Sequence, residues 1–349
     1  MTETRETSVL IVDDSAFNRR TIGEVLEQIE GVHVIGKASD GDEALRMVAG
    51  LEPDLITLDL EMPRMDGFTF LRLLMARRPT PVIVVSGYSE KGNVFRALEL
   101  GALDFVAKPS RHATLDLADI RRELTEKVGL IRHLSRDRMA ARRPAGPSGS
   151  GPAPAPAGLA RHRAPRRVAL IGASTGGPSA LVELFRHLPG KADAAVLVAQ
   201  HMPERFTRTF AERLNRLGGL QVREASGRHP LRPGEAWICP GGRCLVVEGE
   251  EIVVVEPAPS DRYVPSVDRL FRSAATALGA DIVAAVLTGM GDDGAVGVPL
   301  LAESGALVLA ESAETAVIHG MPGAAVRTGA VHEELPLPEL AKRLARELR

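Results

Sequence analysis

The stretch Ile171-Gly172-Ala173-Ser174-Thr175-Gly176-Gly177-Pro178 sets two hydroxyls among three glycines and a proline. It follows the apolar run Val168 to Ile171 and precedes Ser179 to Phe185, whose apolar spacing suits a helix. It therefore reads as a strand-to-helix turn, with glycines for the tight bend and Pro178 in the first helical turn. Gly172-x-Ser174-x-Gly176 fits the nucleophile-elbow pattern, although the same residue types also make a phosphate cradle or a plain βα turn. Two later apolar runs end in polar groups: Ala194 to Ala199 leads into Gln200-His201-Met202-Pro203, and Ile282 to Leu287 into Thr288-Gly289-Met290-Gly291-Asp292-Asp293-Gly294. Gathered on one edge of one sheet, Ser174, His201 and the Asp292-Asp293 pair supply a nucleophile, a general base and a carboxylate that orients the imidazole. The order Ser, His, Asp differs from the Ser, acid, His of the α/β-hydrolases, which predicts a serine hydrolase on a different sheet.

A second set lies in the first half. Short apolar runs there end in Asp13-Asp14, Asp59, Ser86 and Lys108-Pro109. Three carboxylates meeting at one edge repel one another unless a cation joins them, and a hard divalent ion such as Mg²⁺ with oxygen ligands and waters meets that need. Lys108 adds one fixed positive charge and Ser86 a hydroxyl. An incoming phosphoryl group would meet a nucleophilic carboxylate, a metal and an ammonium, the apparatus for phosphoryl transfer to aspartate.

Both sets require parallel sheets, because functional groups collect beyond the carboxyl ends of parallel strands. In the first half, runs at Ser8 to Val12, Val32 to Lys37, Asp54 to Leu58, Pro81 to Ser86 and Leu103 to Ala107 alternate with helical patterns through Ile22 to Ile29 and near 41–50, 66–77, 90–99 and 113–134. Such alternation predicts a doubly wound sheet. The second half repeats it: runs at 168–171, 194–199, 282–287 and 306–310, with shorter ones at 220–224, 236–239, 243–247 and 252–255. Helical patterns near 178–185, 206–216, 266–278, 295–303 and 336–348 complete a second parallel α/β sheet. Between the halves, apolar periodicity stops near Arg136, and Arg142 to Gly158 is rich in Pro, Ala, Gly and Ser, which reads as a mobile tether. The arginines flanking it read as a solvated linker rather than a docking site.

The chain's 349 residues suit two domains, and its 44% apolar and 25% charged content is ordinary for globular cores. A net charge of −2 gives no general attraction to nucleic acid or anionic membrane. The N-terminus has no secretory pattern, no apolar run reaches the roughly 18 residues of a spanning helix, and two cysteines cannot make a disulfide framework. A cytoplasmic protein with no direct membrane insertion is expected.

Residues 8–128, with Leu58-Asp59-Leu60-Glu61-Met62-Pro63-Arg64-Met65-Asp66-Gly67, resemble a two-component receiver domain. The resemblance implies a flavodoxin-like fold, Asp59 as phospho-acceptor, and Asp13, Asp14 and the Glu61 carbonyl around Mg²⁺. It further implies Ser86 and Lys108 as readers of the phosphoryl group, Phe105 at the switching aromatic position, and a histidine kinase as phosphodonor. Gly172 to Pro178, Gln200 to Thr207, Pro265-Ser266-Val267-Asp268 and Thr288 to Gly294 resemble the chemotaxis methylesterases of the CheB family. Here the resemblance implies a Rossmann-like three-layer αβα domain at 166–349, with 129–165 as helical extension and linker. It implies Ser174 as nucleophile, His201 as base, Asp293 as acid, the Met290 amide as oxyanion donor and Thr175 lining the site. Cys244 stands where this family commonly has His, and Tyr263-Val264 where an arginine is common before Pro265; neither departure is expected to touch the triad.

The activity so implied is removal of methyl esters from chemoreceptor glutamates, and deamidation of receptor glutamines, with no cofactor for the esterase step. Phosphorylation at Asp59 is expected to relieve occlusion of the catalytic edge by the receiver. The competing reading is a response regulator whose C-terminal domain only binds a partner; a DNA-binding regulator would need a basic helix-turn-helix after the linker, and none is visible. A dinucleotide site is the other rival, since Gly289-x-Gly291-x-x-Gly294 opens a helix and Glu311 ends the next strand. Against it, Asp292 and Asp293 would face the pyrophosphate.

Overall fold

The computed structural model describes residues 6–87, 91–108, 114–131, 164–189 and 192–349. The chain divides into two compact units, Met1–Pro147 and Ser148–Arg349. The expected tether and most of the helical extension lie outside the described residues, as does Pro109.

The first unit holds β1 (Thr7–Val12), β2 (Val32–Ala38), β3 (Leu55–Leu58), β4 (Val82–Ser86) and β5 (Asp104–Ala107) in a sheet of order β2-β1-β3-β4-β5, all pairings parallel. Helices α1 (Ala16–Leu26), α2 (Gly41–Leu51), α3 (Gly67–Arg77), α4 (Lys91–Glu99) and α5 (Thr114–Ile131) alternate with the strands. The β3, β4 and β5 residues are all buried, as a sheet covered on both faces demands. Capping follows the sequence: Ser15, Asp40 and Asp66 each accept an amide N–H in the first turn of the next helix.

The second unit is built on seven strands in the order β15-β14-β13-β6-β7-β10-β8. Its central members are β6 (Arg167–Ala173), β7 (Ala194–Gln200) and β13 (Ile282–Val286), flanked by β8 (Gln221–Glu224), β10 (Glu235–Ile238), β14 (Leu307–Glu311) and β15 (Glu333–Leu335). All pairings are parallel. The helices are α6 (Gly177–His187), α7 (Glu204–Asn215), α8 (Val267–Leu278), α9 (Gly297–Glu303), α10 (Met321–Arg327) and α11 (Leu337–Glu347). Leu170, Leu197, Phe271, Val286, Leu301 and Met321 belong to one buried apolar cluster across these elements.

Three strands stand apart in a small antiparallel sheet, β9 (Arg228–Pro230), β11 (Cys244–Glu248) and β12 (Glu251–Val255), ordered β11-β12-β9. So the four short runs predicted between 220 and 255 divide, two joining the parallel sheet and two leaving it. The connection decides this: Gly249-Glu250 is a two-residue turn, which joins antiparallel strands only. The sequence patterns miss α10, β9 and β15. Helix α10 is seven residues with Met321 to Ala325 all buried, so it shows no amphipathic period; β9 and β15 are short, polar edge strands. Among the described residues no helix is long and apolar enough to cross a membrane.

Candidate functional site

In the second unit β6 and β7 pair with Gly172 opposite Ala199 and Ala173 opposite Gln200. The next residue of each strand, Ser174 and His201, therefore emerges at the same sheet edge, and the His201 amide donates to the Ala173 carbonyl at 3.0 Å. Strand β13 pairs with the other side of β6, Val286 opposite Gly172. The loop after it returns Asp293 to the edge, where its Oδ2 lies 2.8 Å from His201 Nε2. Asp293 is 1% exposed. It also accepts the amides of Val267 and Asp268, each at 2.8 Å, in the first turn of α8. Three donors and a helix N-terminus thus hold negative charge in a nearly dry place. The Pro265-Ser266-Val267-Asp268 motif, which carries no role by residue type alone, acts here as that cradle.

Because Nε2 faces Asp293, the ring nitrogen left for a hydroxyl is Nδ1. Among the described residues no hydrogen bond joins Ser174 Oγ to the imidazole; such bonds commonly form only when substrate is bound. Ser174 also lacks the strained backbone expected of an elbow. Among the described residues Glu52 and Arg64 are the non-glycine ones with positive φ, and the left-handed step falls to Gly176 at φ 78°.

Three buried groups hold this edge: Gln200 and Thr288, which no motif role marks, and Glu311, which the dinucleotide reading would turn outward. Gln200 Nε2 donates to the carbonyls of both Ser174 and His201 at 2.9 Å, tying nucleophile and base strands together. Thr288 accepts the Ser174 amide at 3.0 Å through its carbonyl and donates its hydroxyl to the Thr175 carbonyl at 2.9 Å. The Thr288 amide in turn donates to buried Glu311 at 2.8 Å. A polar residue at the end of an otherwise apolar strand was the available signal for Gln200 and Thr288. At Gly289 a Cβ would lie 2.8 Å from Ser174 Cβ, so the loop passes directly against the nucleophile and only glycine fits. The amides of Thr175 and Met290, either side of that approach, have no acceptor among the described residues.

The dinucleotide reading fails on these contacts. Asp268 occupies the start of α9, accepting the amides of Val296 and Gly297 at 3.0 and 2.8 Å, where pyrophosphate would have to sit. Both Glu311 oxygens are engaged inside the fold, by the Thr288 amide and the Thr315 hydroxyl. Asp292 diverges from its neighbour: it is half-exposed and accepts from Tyr263 Oη and Arg262.

In the first unit Asp13, Asp14, Asp59, Ser86 and Lys108 all stand at carboxyl ends of strands. Lys108 Nζ lies 2.5 Å from Asp59 Oδ2 and 3.2 Å from Asp13 Oδ2. One oxygen from each of Asp13, Asp14 and Asp59 falls within 4.8 Å of the others, so the cluster could hold a cation. Burial pushes the Asp59 carboxyl up to about 6, with Lys108 opposing and Asp13 reinforcing the shift. The same carboxylates hold the Lys108 ammonium above its ordinary range despite burial. The Glu61 amide donates to Asp59 Oδ1 at 3.3 Å. Asn18 and Arg19 were not anticipated: Asn18 Nδ2 donates to Asp13 at 3.2 Å, and Arg19 to the carbonyls of Asp13 and Asp14. Phe105 is buried, edge-on to Phe95 at 6.2 Å, with Lys127 Nζ 5.3 Å from its ring centre.

The family model for the CheB methylesterase matches residues 169–344, and that for the response regulator receiver domain residues 9–118. The chain is 47% identical over 343 residues to protein-glutamate methylesterase/protein-glutamine glutaminase 1 of Myxococcus xanthus, covering 97% of this chain and 96% of that one. It is 50% identical over 348 residues to protein-glutamate methylesterase/protein-glutamine glutaminase 6 of Anaeromyxobacter dehalogenans, covering 97% and 95%. Among solved structures, the Thermotoga maritima CheB methylesterase catalytic domain is 32% identical with a TM-score of 0.49, covering 52% of this chain and 97% of that one. On these matches the chain belongs to the CheB methylesterase family, with a receiver domain ahead of its catalytic domain.

Proposed function

We propose that this chain hydrolyses the methyl esters of glutamyl side chains on chemoreceptors, and deamidates glutaminyl ones, under control of phosphorylation at Asp59. Family membership and the activity named for relatives sharing nearly the whole chain favour an enzyme over a non-catalytic partner-binding domain. The observation that carries the chemistry is the 2.8 Å contact of His201 Nε2 with Asp293, beside Ser174 on the adjoining strand end.

Ser174 Oγ attacks the ester carbonyl while His201 Nδ1 takes the hydroxyl proton. The resulting imidazolium is stabilised by Asp293, whose charge α8 already holds in place. The amides of Thr175 and Met290 receive the oxyanion. His201 returns its proton to the departing methanol, or to ammonia when the substrate is an amide. Water, deprotonated by the same nitrogen, then cleaves the acyl-enzyme to a glutamate and frees Ser174.

In the receiver, proposed to span residues 1–128 and joined through 129–165 to a catalytic domain at 166–349, Asp59 accepts the phosphoryl group from a histidine kinase. Asp13, Asp14, Asp59 and the Glu61 carbonyl would hold Mg²⁺, which neutralises phosphoryl charge when bound. Lys108 and Ser86 then read the phosphoryl oxygens, and Phe105 repacks with them. Ser174→Ala is expected to reduce methanol release roughly 10⁴-fold or more, to background, while Asp59 still phosphorylates. Labelling of the wild type by a fluorophosphonate at Ser174, lost in the variant, is the direct check; a variant that still releases methanol at the wild-type rate removes the serine assignment.

A further inference from the structure

Contrary to the expectation that the Tyr263-Val264 departure stays clear of the triad, the imidazole of His201 is covered on one face by the phenol of Tyr263, which the packing of the Gly291 turn brings there. The two rings stack at 5.2 Å between centroids and 7° between planes. The phenol is itself anchored: Tyr263 Oη donates to Asp292 Oδ1 at 3.0 Å, and Arg262 donates to Asp292 Oδ2 at 3.2 Å. Gly291, at φ 80°, lies so close that a Cβ there would stand 2.2 Å from the Tyr263 oxygen. Tyr263 therefore packs between the His201 ring and Gly291.

We infer that Tyr263 is a positioning residue for His201, with Asp292 as its tether; this rests on the reading of His201 as the general base. The imidazole has one fixed in-plane bond, Nε2 to Asp293, about which the ring can still rock. A parallel ring on its face removes that freedom and keeps Nδ1 aimed at the Ser174 side. The same face is electron-rich, so it stabilises the imidazolium that forms as Ser174 gives up its proton. Segment 262–268 thus acts on both partners, Tyr263 on the imidazole and the Val267 and Asp268 amides on Asp293. A tyrosine that were only a wall of the substrate site would act differently, by raising KM and leaving kcat alone.

The test compares full-length wild type, Tyr263→Leu, Tyr263→Phe and Asp292→Ala by the rate of fluorophosphonate labelling at Ser174 and by kcat and KM for methanol release. Tyr263→Leu is expected to slow labelling and kcat about ten-fold, with KM moved less than about two-fold. Tyr263→Phe, which keeps the ring and loses the tether, should recover to within roughly three-fold of wild type, as should Asp292→Ala with a two- to three-fold loss. Unchanged kcat with raised KM in Tyr263→Leu overturns the inference, and so does a Tyr263→Phe loss as deep as that of Tyr263→Leu. Asp292 is half-exposed, so its variant decides the matter even if Tyr263→Leu folds poorly: an unchanged kcat there rejects the tether. A wild-type chain that takes no label at Ser174 sinks the esterase reading itself, an outcome distinct from any difference among variants.

Discussion

The two units solve the same geometric problem in opposite electrostatic ways. Each gathers its reactive groups beyond the carboxyl ends of parallel strands. In the first, Asp13, Asp59 and Lys108 each follow directly on a strand, and with Asp14 their charges meet unbalanced, three carboxylates against one ammonium. In the second, Asp293 lies seven residues past Val286, and its charge is met inside the fold by His201 and two amides of α8. The first site leaves negative charge that a cation could join, which suits a switch. In the second the His201–Asp293 contact is already made inside the fold, which suits a catalyst.

The sharpest way to break that comparison is to neutralise one carboxylate in each unit. Asp293→Asn should cost roughly 10³–10⁴ in kcat, because the imidazole loses both orientation and charge support. Asp292→Asn, which keeps an acceptor for Tyr263, should cost less than about five-fold, and similar losses in both would deny Asp293 its special place. Asp59→Asn should abolish phosphorylation and any stimulation by a phosphodonor while leaving unstimulated methanol release unchanged.

A smaller effect separates a prebuilt site from one that merely has the right residues. Gln200→Leu removes the amide that ties the Ser174 and His201 carbonyls, at nearly constant volume. A loss of about 10² in kcat is expected from the misplacement, with little change in melting temperature to accompany it. Activity held at the wild-type level would show that strand pairing alone aligns the two residues.

The smallest effect concerns the first site. The folded Asp59 carboxyl stands at about 6 against an ordinary value of 3.8. A raised folded pKa means the native state holds the proton more tightly than the unfolded chain. The contribution is therefore full below pH 3.8 and is lost as pH rises through about 6. Metal-free, the receiver should lose stability across that window, and Asp59→Asn should remove the slope. Reactivity runs the other way: without metal, phosphorylation from a small phosphodonor should fall about ten-fold per pH unit below pH 6. Added Mg²⁺ should move that midpoint to lower pH, and an unmoved midpoint would count against a cation in this cluster.

Both architectures, and the placing of Ser174, His201, Asp13, Asp59 and Lys108 at strand ends, were legible in the sequence. Apolar runs and their punctuation are local properties, set by burial on both faces of a sheet, and they need no knowledge of which strand neighbours which. What needed tertiary structure were contacts between residues far apart in the chain. His201 and Asp293 are separated by 92 positions, and only the β13-β6-β7 order brings them within 2.8 Å through Nε2. Residue type left Asp292 and Asp293 open and the family resemblance pointed to Asp293; the physical reason, the buried end of α8, came only from the fold, as did the turn of Glu311 inward to Thr288 rather than outward to a ribose. Tyr263 is the clearest case. In the sequence it is a polar aromatic in a loop, and its place on the face of His201 follows from the packing of a glycine turn about thirty residues away. Residue type determines what chemistry is available; sheet order and helix ends decide which of the available groups meet, because charge and ring contacts act over a few ångströms and not along the chain.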